Sequence, residues 1–284
     1  MEAIVHNDVE DFLRRSERHL LSSLAMNHGL VQIATVLGSP NHFHQGPYWY
    51  CTVENNGQVV GAALHALPDG LVLSSFSDSS VTEVVDAIIQ SGQVPCRVVG
   101  EPDHVKRVCT SIESRLRCKY RRSTEWVVGR LDAPAKMGDS PPRGKLRAGE
   151  LSDLALVRNW GRKYQFEKVP FLDVAEFLEK KLRDADLYIW ETDEPATMLT
   201  VSGRKLPAVR ISSVFTPDEK RCRGHASSAV ATLANELLSS DHEFVVLAWR
   251  KNDAVGNVYK RLGFRPIGNQ LSMSLERESQ STTE

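Results

Sequence analysis

No run of about 18 apolar residues occurs in the 284-residue sequence, so a membrane-spanning helix is not expected. The first residues, MEAIVHNDVEDFLRR, put acids where a cleaved secretory signal carries a basic stretch, so export by that route is not expected either. Surplus charge is missing as well. Lys and Arg number 35 against 36 Asp and Glu, for a formal net charge of -1, with no acidic or basic tail, so nothing electrostatic points to nucleic acid. Cysteine is sparse: Cys51, Cys96, Cys109, Cys118 and Cys222 are odd in number and scattered. They form neither a CxxC pair nor a Cys/His cluster at ligand spacing, which argues against a metal site and for reduced thiols in a cytoplasmic compartment.

What is present is an ordinary globular composition, 41% hydrophobic and 25% charged. The length exceeds the ~100–200 residues of one domain, so two domains are expected. The clearest break is LDAPAKMGDSPPRG, residues 131–144, where prolines and glycines interrupt any apolar period. This gives an N-terminal domain over 1–130, a linker over 131–144 and a second domain over 145–284.

In the second domain, LSDLALVRNW and DVAEFLEKKL open with Ser152 and Asp173 as N-caps before helical spacing. DLYIWET, ATMLTVSG and PAVRISSVFT read as a three-stranded meander. Ala226, Ala229, Val230, Leu233, Ala234, Leu237 and Leu238 then form an apolar stripe on a long helix. The strand EFVVLAW, the helix DAVGNVYKRL ended by Gly263, and the closing strand FRPIGNQLSMSL follow, for an order ααβββαβαβ. The N-terminal half reads similarly. A helix covers Val9 to Leu24, YWYCTVE and QVVGAALHA flank an Asn56-Gly57 turn, and LVLSSF is a strand. A helix on Val81, Val84, Val85, Ile88 and Ile89, the strand PCRVVG, a helix from about His104 to Leu116, and EWVVGRL complete it. The halves share an element order without a residue-level repeat.

Chemistry concentrates in VFTPDEKRCRGHASSAV, residues 214–230, where a strand ends at Thr216, a polar loop follows and the alanine-striped helix begins. First-turn amides of a helix have no partner within it, and its dipole favours anions, so the amides of 222–227 suit a pyrophosphate. Gly224 admits close backbone approach, Ala226 nearly so, and Arg221 and Arg223 can add charge-assisted hydrogen bonds.

With these residues the chain resembles the GCN5-related N-acetyltransferases, whose loop Arg/Gln-x-x-Gly-x-Gly/Ala is matched by Arg221-Cys222-Arg223-Gly224-His225-Ala226. KNDAVGNVYKRLGF, residues 251–264, is similar to that family's Asn-x-x-x-x-Asn-x-x-Tyr-x-x-x-Gly-Phe segment through Asn252, Asn257, Tyr259, Gly263 and Phe264. The resemblance covers about 145–275. It implies an α/β fold with a mixed, mostly antiparallel central sheet flanked by helices (the acyl-CoA N-acyltransferase fold) in two similar halves. It also implies acetyl-CoA or another acyl-CoA as co-substrate and a small-molecule or protein amine as acceptor; a homodimer stays open. Cofactor contacts would come from Val214, Phe215 and Thr216 on the splayed strand, from Arg221 through Ser227, and from Asn252, Asn257 and Tyr259. SDSSVTEVV lacks the arginine pair and the glycine, which makes the N-terminal half a degenerate copy.

Direct attack of an amine on the thioester needs a base, and Glu167 in RKYQFEKVP is the candidate, with a plain surface charge as the other reading. Tyr259 is the candidate acid for the departing thiolate, or a buried aromatic anchor. His225 and Cys222 need be no more than loop residues. Trp160, Phe166 and Trp190 either line an acceptor pocket or fill the core. The activity expected is N-acetyl transfer; the alternative is an acyl-CoA sensor without catalysis.

Overall fold

The computed structural model describes residues 1–39, 42, 44–76, 80–137, 142–168 and 174–276, the side chains of 166–168 excepted. The chain divides into two compact units, one of Met1–Trp126 with Gly268–Glu284 and one of Val127–Ile267.

The first unit contains β1 (Glu2–His6), α1 (Val9–Ser22), α2 (Leu24–Leu37), β2 (Gln45–Asn55), β3 (Gln58–Leu67), β4 (Gly70–Leu73), α3 (Val81–Gln90), β5 (Arg97–Gly100) and α4 (Pro102–Arg115). Its sheet runs β1-β2-β3-β4-β5 and then takes β12 (Arg265–Leu275). Neighbours are antiparallel except β4 and β5. Asn56 and Gly57 adopt φ of 50° and 76°, as a two-residue hairpin turn that follows the strands' twist requires. The helix expected over Val9–Leu24 breaks at Ser23, and a second, mostly apolar helix, α2, follows. β1 was not expected either.

The second unit begins inside β6 (Tyr120–Leu131) and continues with β7 (Lys145–Ala148), α5 (Leu154–Lys168), α6 (Val174–Arg183), β8 (Leu187–Glu191), β9 (Pro195–Ser202), β10 (Ala208–Phe215), α7 (His225–Leu238), β11 (Phe244–Arg250) and α8 (Val255–Leu262). The strand order is β6-β11-β10-β9-β8-β7, with β7 to β10 antiparallel in turn and β10 parallel to β11. The meander, the alanine-striped helix and the strand–helix pair after it are where the sequence puts them, and short β7 is additional. A mixed, mostly antiparallel sheet with flanking helices is therefore common to both units.

The units differ from a linear division at residues 131–144 because β12 crosses over. Its Leu271, Ser272, Met273 and Ser274 pair with Gly100, Val99, Val98 and Arg97 in the first unit. Apolar alternation marks a strand but not the sheet it joins. The expected linker is packed where described: Asn235 accepts a hydrogen bond from the Ala135 amide at 2.6 Å, and Leu262 accepts one from Lys136 at 2.9 Å. Residues 138–141 lie outside the described residues.

Two cores hold the second unit's sheet. Ala229, Val230, Leu233, Ala234 and Leu237 of α7 pack on Val209, Ile211, Val245 and Leu247. The alanines bring helix and sheet close, and each fully buried Val or Leu contributes roughly 1.5–3 kcal/mol. On the opposite face, Val157, Trp160, Leu178 and Leu182 cover Leu187, Ile189, Met198 and Phe215.

Candidate functional site

Where β10 and β11 part, the second unit has an opening. Their parallel pairing covers Ala208–Arg210 against Phe244–Val246 and stops, while β10 runs on to Phe215 and β11 to Arg250. The cause is local to β10. Its pairing with β9 slips between Ser212 and Phe215, and Ser213 has a φ of 49°. A non-glycine residue in that left-handed region costs on the order of 1–3 kcal/mol, and such a bulge bends the strand away from its neighbour. Past it, Val214 packs toward the α7 core and Phe215 toward the α5–α6 core.

The loop after β10 delivers the chain to the helix. Cys222 and Gly224 take φ of 60° and 80°, and Gly224 is the N-cap of α7, with no side chain capping the first turn. Ser228 donates to Gly224 at 3.0 Å as the first bond of the helix, so the amides of His225, Ala226 and Ser227 are free of intrahelical partners. A Cβ on Gly224 would stand 3.3 Å from the Pro142 ring, in a conformation other residues resist.

The two loop arginines do different things. Arg221 Nε donates to the Thr216 carbonyl at 2.9 Å, and its Nη1 pairs with Asp218 at 2.6 Å, so it braces the loop. Arg223 is exposed and makes no hydrogen bond or ion pair among the described residues. Lys220, which the sequence reading passed over, donates to the Pro195 carbonyl and pairs with Glu194, each at 2.7 Å, tying the loop to the β8–β9 turn. Burial lowers the pKa of His225, with Arg223 and Lys220 adding to it, so the imidazole is neutral at neutral pH. Cys222 is an exposed free thiol.

Tyr259 is 6% exposed, with its ring 5.9 Å from Trp249 and 6.3 Å from Phe264. Burial drives its pKa up, reinforced by Tyr164 and Asp253, so the phenol keeps its proton. Trp249 lies so close to Gly129 and Gly256 that a Cβ at either would meet its ring within 2.4 Å. Asn252, on the turn after β11, and Asn257, on α8, are both exposed. Asn257 stands two positions from Tyr259 and does not share its helix face. The Glu167 and Phe166 side chains lie outside the described residues. Trp160 and Trp190 are core residues, each 4% exposed, on opposite faces of the sheet.

The first unit's counterpart is shut. β4 and β5 pair through Leu71–Val98 and Val72–Val99 and end one residue later, at Leu73 and Gly100. Ser74 remains tied to β3, donating to the Ala62 carbonyl at 2.8 Å and accepting from its amide at 2.9 Å. Asn27 accepts from the Ser75 amide at 3.3 Å, and His19 Nε2 is 3.0 Å from the Ser75 carbonyl. Burial keeps His19 neutral, and since a carbonyl only accepts, Nε2 carries the proton. Ser75 Oγ bonds the Glu101 carboxylate at the end of β5, and Phe76 lies directly on Gly61. Residues 77–79 of the loop lie outside the described residues.

An opened parallel strand pair followed by a glycine-entered helix, within a mixed sheet that occurs twice, defines an acyl-CoA N-acyltransferase fold in tandem. Residues 194–272 match the FR47-like protein family. That match lies in the C-terminal part of the chain, and the fold is the one found in GCN5-related N-acetyltransferase structures. Three solved structures share the fold over nearly the whole chain. A Drosophila protein has a TM-score of 0.70 at 14% identity, covering 98% of this chain and 99% of its own. A GNAT-family acetyltransferase from Colwellia psychrerythraea reaches 0.61 at 8% identity, covering 98% and 100%. A tandem GNAT protein from the clavulanic acid biosynthesis pathway reaches 0.55 at 12% identity, covering 96% and 98%. No curated protein matches the sequence. Among the described residues, no helix is long and apolar enough to cross a membrane, and no group of three or more His, Cys, Asp or Glu could hold a metal ion.

Proposed function

We propose that the chain is an acyl-CoA-dependent N-acetyltransferase whose second unit carries the reaction and moves an acetyl or similar acyl group to a primary amine. The opening between β10 and β11 beside the Gly224-capped start of α7 carries this reading. The donor set fits an acyl-CoA: free first-turn amides with the helix dipole and exposed Arg223 suit a pyrophosphate. Strand backbone past Arg210 suits an extended pantetheine arm, which can pair as an added strand would. When bound, the co-substrate supplies the activated acyl group. This chain's part is to hold it, to present backbone donors at the bulge to the thioester oxygen, and to keep a protonated Tyr259 for the departing sulfur. The acceptor would be a small-molecule or protein amine in a cytoplasmic setting, with Glu167 as the base.

The test is calorimetry with acetyl-CoA on the full chain, followed by thiol release with a panel of amines. Micromolar binding with amine-dependent thiol release supports transfer. Binding without release from any amine favours the acyl-CoA sensor, a reading to which the deep burial of Tyr259 lends weight. Absence of binding overturns both.

A further inference from the structure

The stretch that the sequence marks as a linker ends against the start of α7. Near its beginning, the Ala135 amide donates to Asn235 on the third turn of that helix at 2.6 Å. Near its end, the Pro142 ring stands 3.3 Å from the place of a Cβ on Gly224, the N-cap of α7. Gly144 is packed as closely. It has a φ of 148°, and a Cβ there would meet the Trp190 indole nitrogen at 2.6 Å and the Glu191 carbonyl at 2.7 Å. Trp190 belongs in turn to the core that α7 covers. Arg143 thus has both neighbours held, while its own side chain is exposed and makes no hydrogen bond or ion pair among the described residues. Consecutive Cα atoms are about 3.8 Å apart, so Arg143 starts one residue step from the contact with Gly224. An extended guanidinium spans from there to the open first turn of α7.

Charge at that turn is in short supply. Arg221 is taken up by Asp218 and the Thr216 carbonyl, and Lys220 by Glu194 and the Pro195 carbonyl. Arg223 and a helix end worth roughly +0.5 of a charge remain. An acyl-CoA brings a pyrophosphate and a 3′-phosphomonoester, the latter alone carrying about −1.5 to −2 at pH 7. We propose that Arg143 is a further phosphate-binding residue of this site, delivered to the nucleotide end of the co-substrate by the segment between β6 and β7. This rests on the acyl-CoA reading of the opening, and it adds a residue outside both motifs that carried the family resemblance. It also makes the PPRG stretch part of the site: Pro142 and Gly144 fix the backbone, and the arginine between them meets the ligand.

The experiment is calorimetry on the full chain with CoA and with dephospho-CoA, which lacks the 3′-phosphate. Arg143→Gln should weaken CoA binding about 5- to 20-fold at low salt, as loss of one exposed charge-assisted contact does. Arg143→Glu, which reverses the charge, should weaken it further. Both losses should shrink as salt rises from about 0.01 to 1 M and the screening length falls from about 30 to 3 Å, which the loss of a packing contact would not do. Lys136→Gln removes the same charge from the same segment, at an exposed residue whose amide is tied to Leu262 instead, and is the control. Its affinity for CoA should stay within about twofold of the parent. An equal loss for CoA and dephospho-CoA in Arg143→Gln supports a contact with the pyrophosphate, and a loss confined to CoA supports one with the 3′-phosphate. Parent-like affinity for both ligands in both Arg143 variants at low salt overturns the inference and leaves the acyl-CoA reading standing. A matching loss in Lys136→Gln also overturns it, since the general field of the segment would then suffice. A parent chain that binds no CoA overturns the acyl-CoA reading, and this inference with it.

Discussion

The chain builds one strand–loop–helix unit twice and leaves it open only once. In the second unit the parallel pair parts after Arg210 and Val246, and β10 runs five residues further past a bulge to a loop with left-handed Cys222 and Gly224. In the first, the pair ends almost with its strands, and Asn27, His19 and Glu101 take up the Ser75 amide, carbonyl and hydroxyl. Under the proposed acyl-CoA reading, the Ser75 amide and carbonyl are the groups a pantetheine arm would need. A shared fold therefore does not decide where a ligand goes. The two units differ in whether strand backbone at the divide is left open or taken up by side chains.

The largest effect that could break this contrast is on binding itself. Gly224→Asp adds a side chain at a φ of 80° and a negative charge at the helix start. Calorimetry should show acetyl-CoA affinity reduced by about 100-fold or more. Ser80→Asp, before α3 in the first unit, should change it by less than about twofold. Equal losses in the two variants would mean that both openings bind.

Next is Tyr259→Phe, which keeps the ring against Trp249 and Phe264 and removes the proton donor. Loss of a general acid lowers kcat by about 10²- to 10⁴-fold, and acetyl-CoA affinity should hold. A kcat within about twofold of the parent alongside a lower Tm would make Tyr259 an anchor only.

Smaller is the response of the closed unit. Ser75→Ala removes the bond to Glu101 and should cost about 1–2 kcal/mol of stability in urea unfolding. Stoichiometry should remain one acetyl-CoA per chain. A second equivalent would show that this network alone keeps the first unit shut.

The smallest concerns protons. The His225 pKa lies below its ordinary value because of burial and then Arg223 and Lys220. A pyrophosphate at the loop favours the imidazolium and so raises it. Between the lowered pKa and pH ~7, binding should therefore take up a fraction of a proton, and affinity should rise modestly as pH falls through that window. Calorimetry in buffers of different ionisation enthalpy measures this directly; a His225→Asn variant with the same proton uptake removes the assignment.

Much of the second unit was legible because its signals are local. The alanine stripe reports a face with the period of a helix, and Arg223-Gly224 next to it marks the entry. The bulge was not legible, since RISSVF reads as a plain strand and no glycine announces the turn at Ser213. Nor was the work of Arg221, whose guanidinium turns back onto the loop's own Thr216 carbonyl. The closing network joins His19, Asn27, Ser75 and Glu101 from separate elements, so only the fold collects them. Lone glycines inside EWVVGRL and DAVGNVYKRL mark close approach, and both abut Trp249.

The crossover of β12 bears on how the protein is made. Gly268–Leu275 complete a sheet whose other members lie before residue 127, so during synthesis that sheet waits for more than half the chain. At ~5–20 residues per second the wait is on the order of ten seconds, and through it the edge of β5 that β12 will cover has no partner from this pairing. A nascent chain halted before residue 268 would leave the front of the protein, not its rear, unfinished.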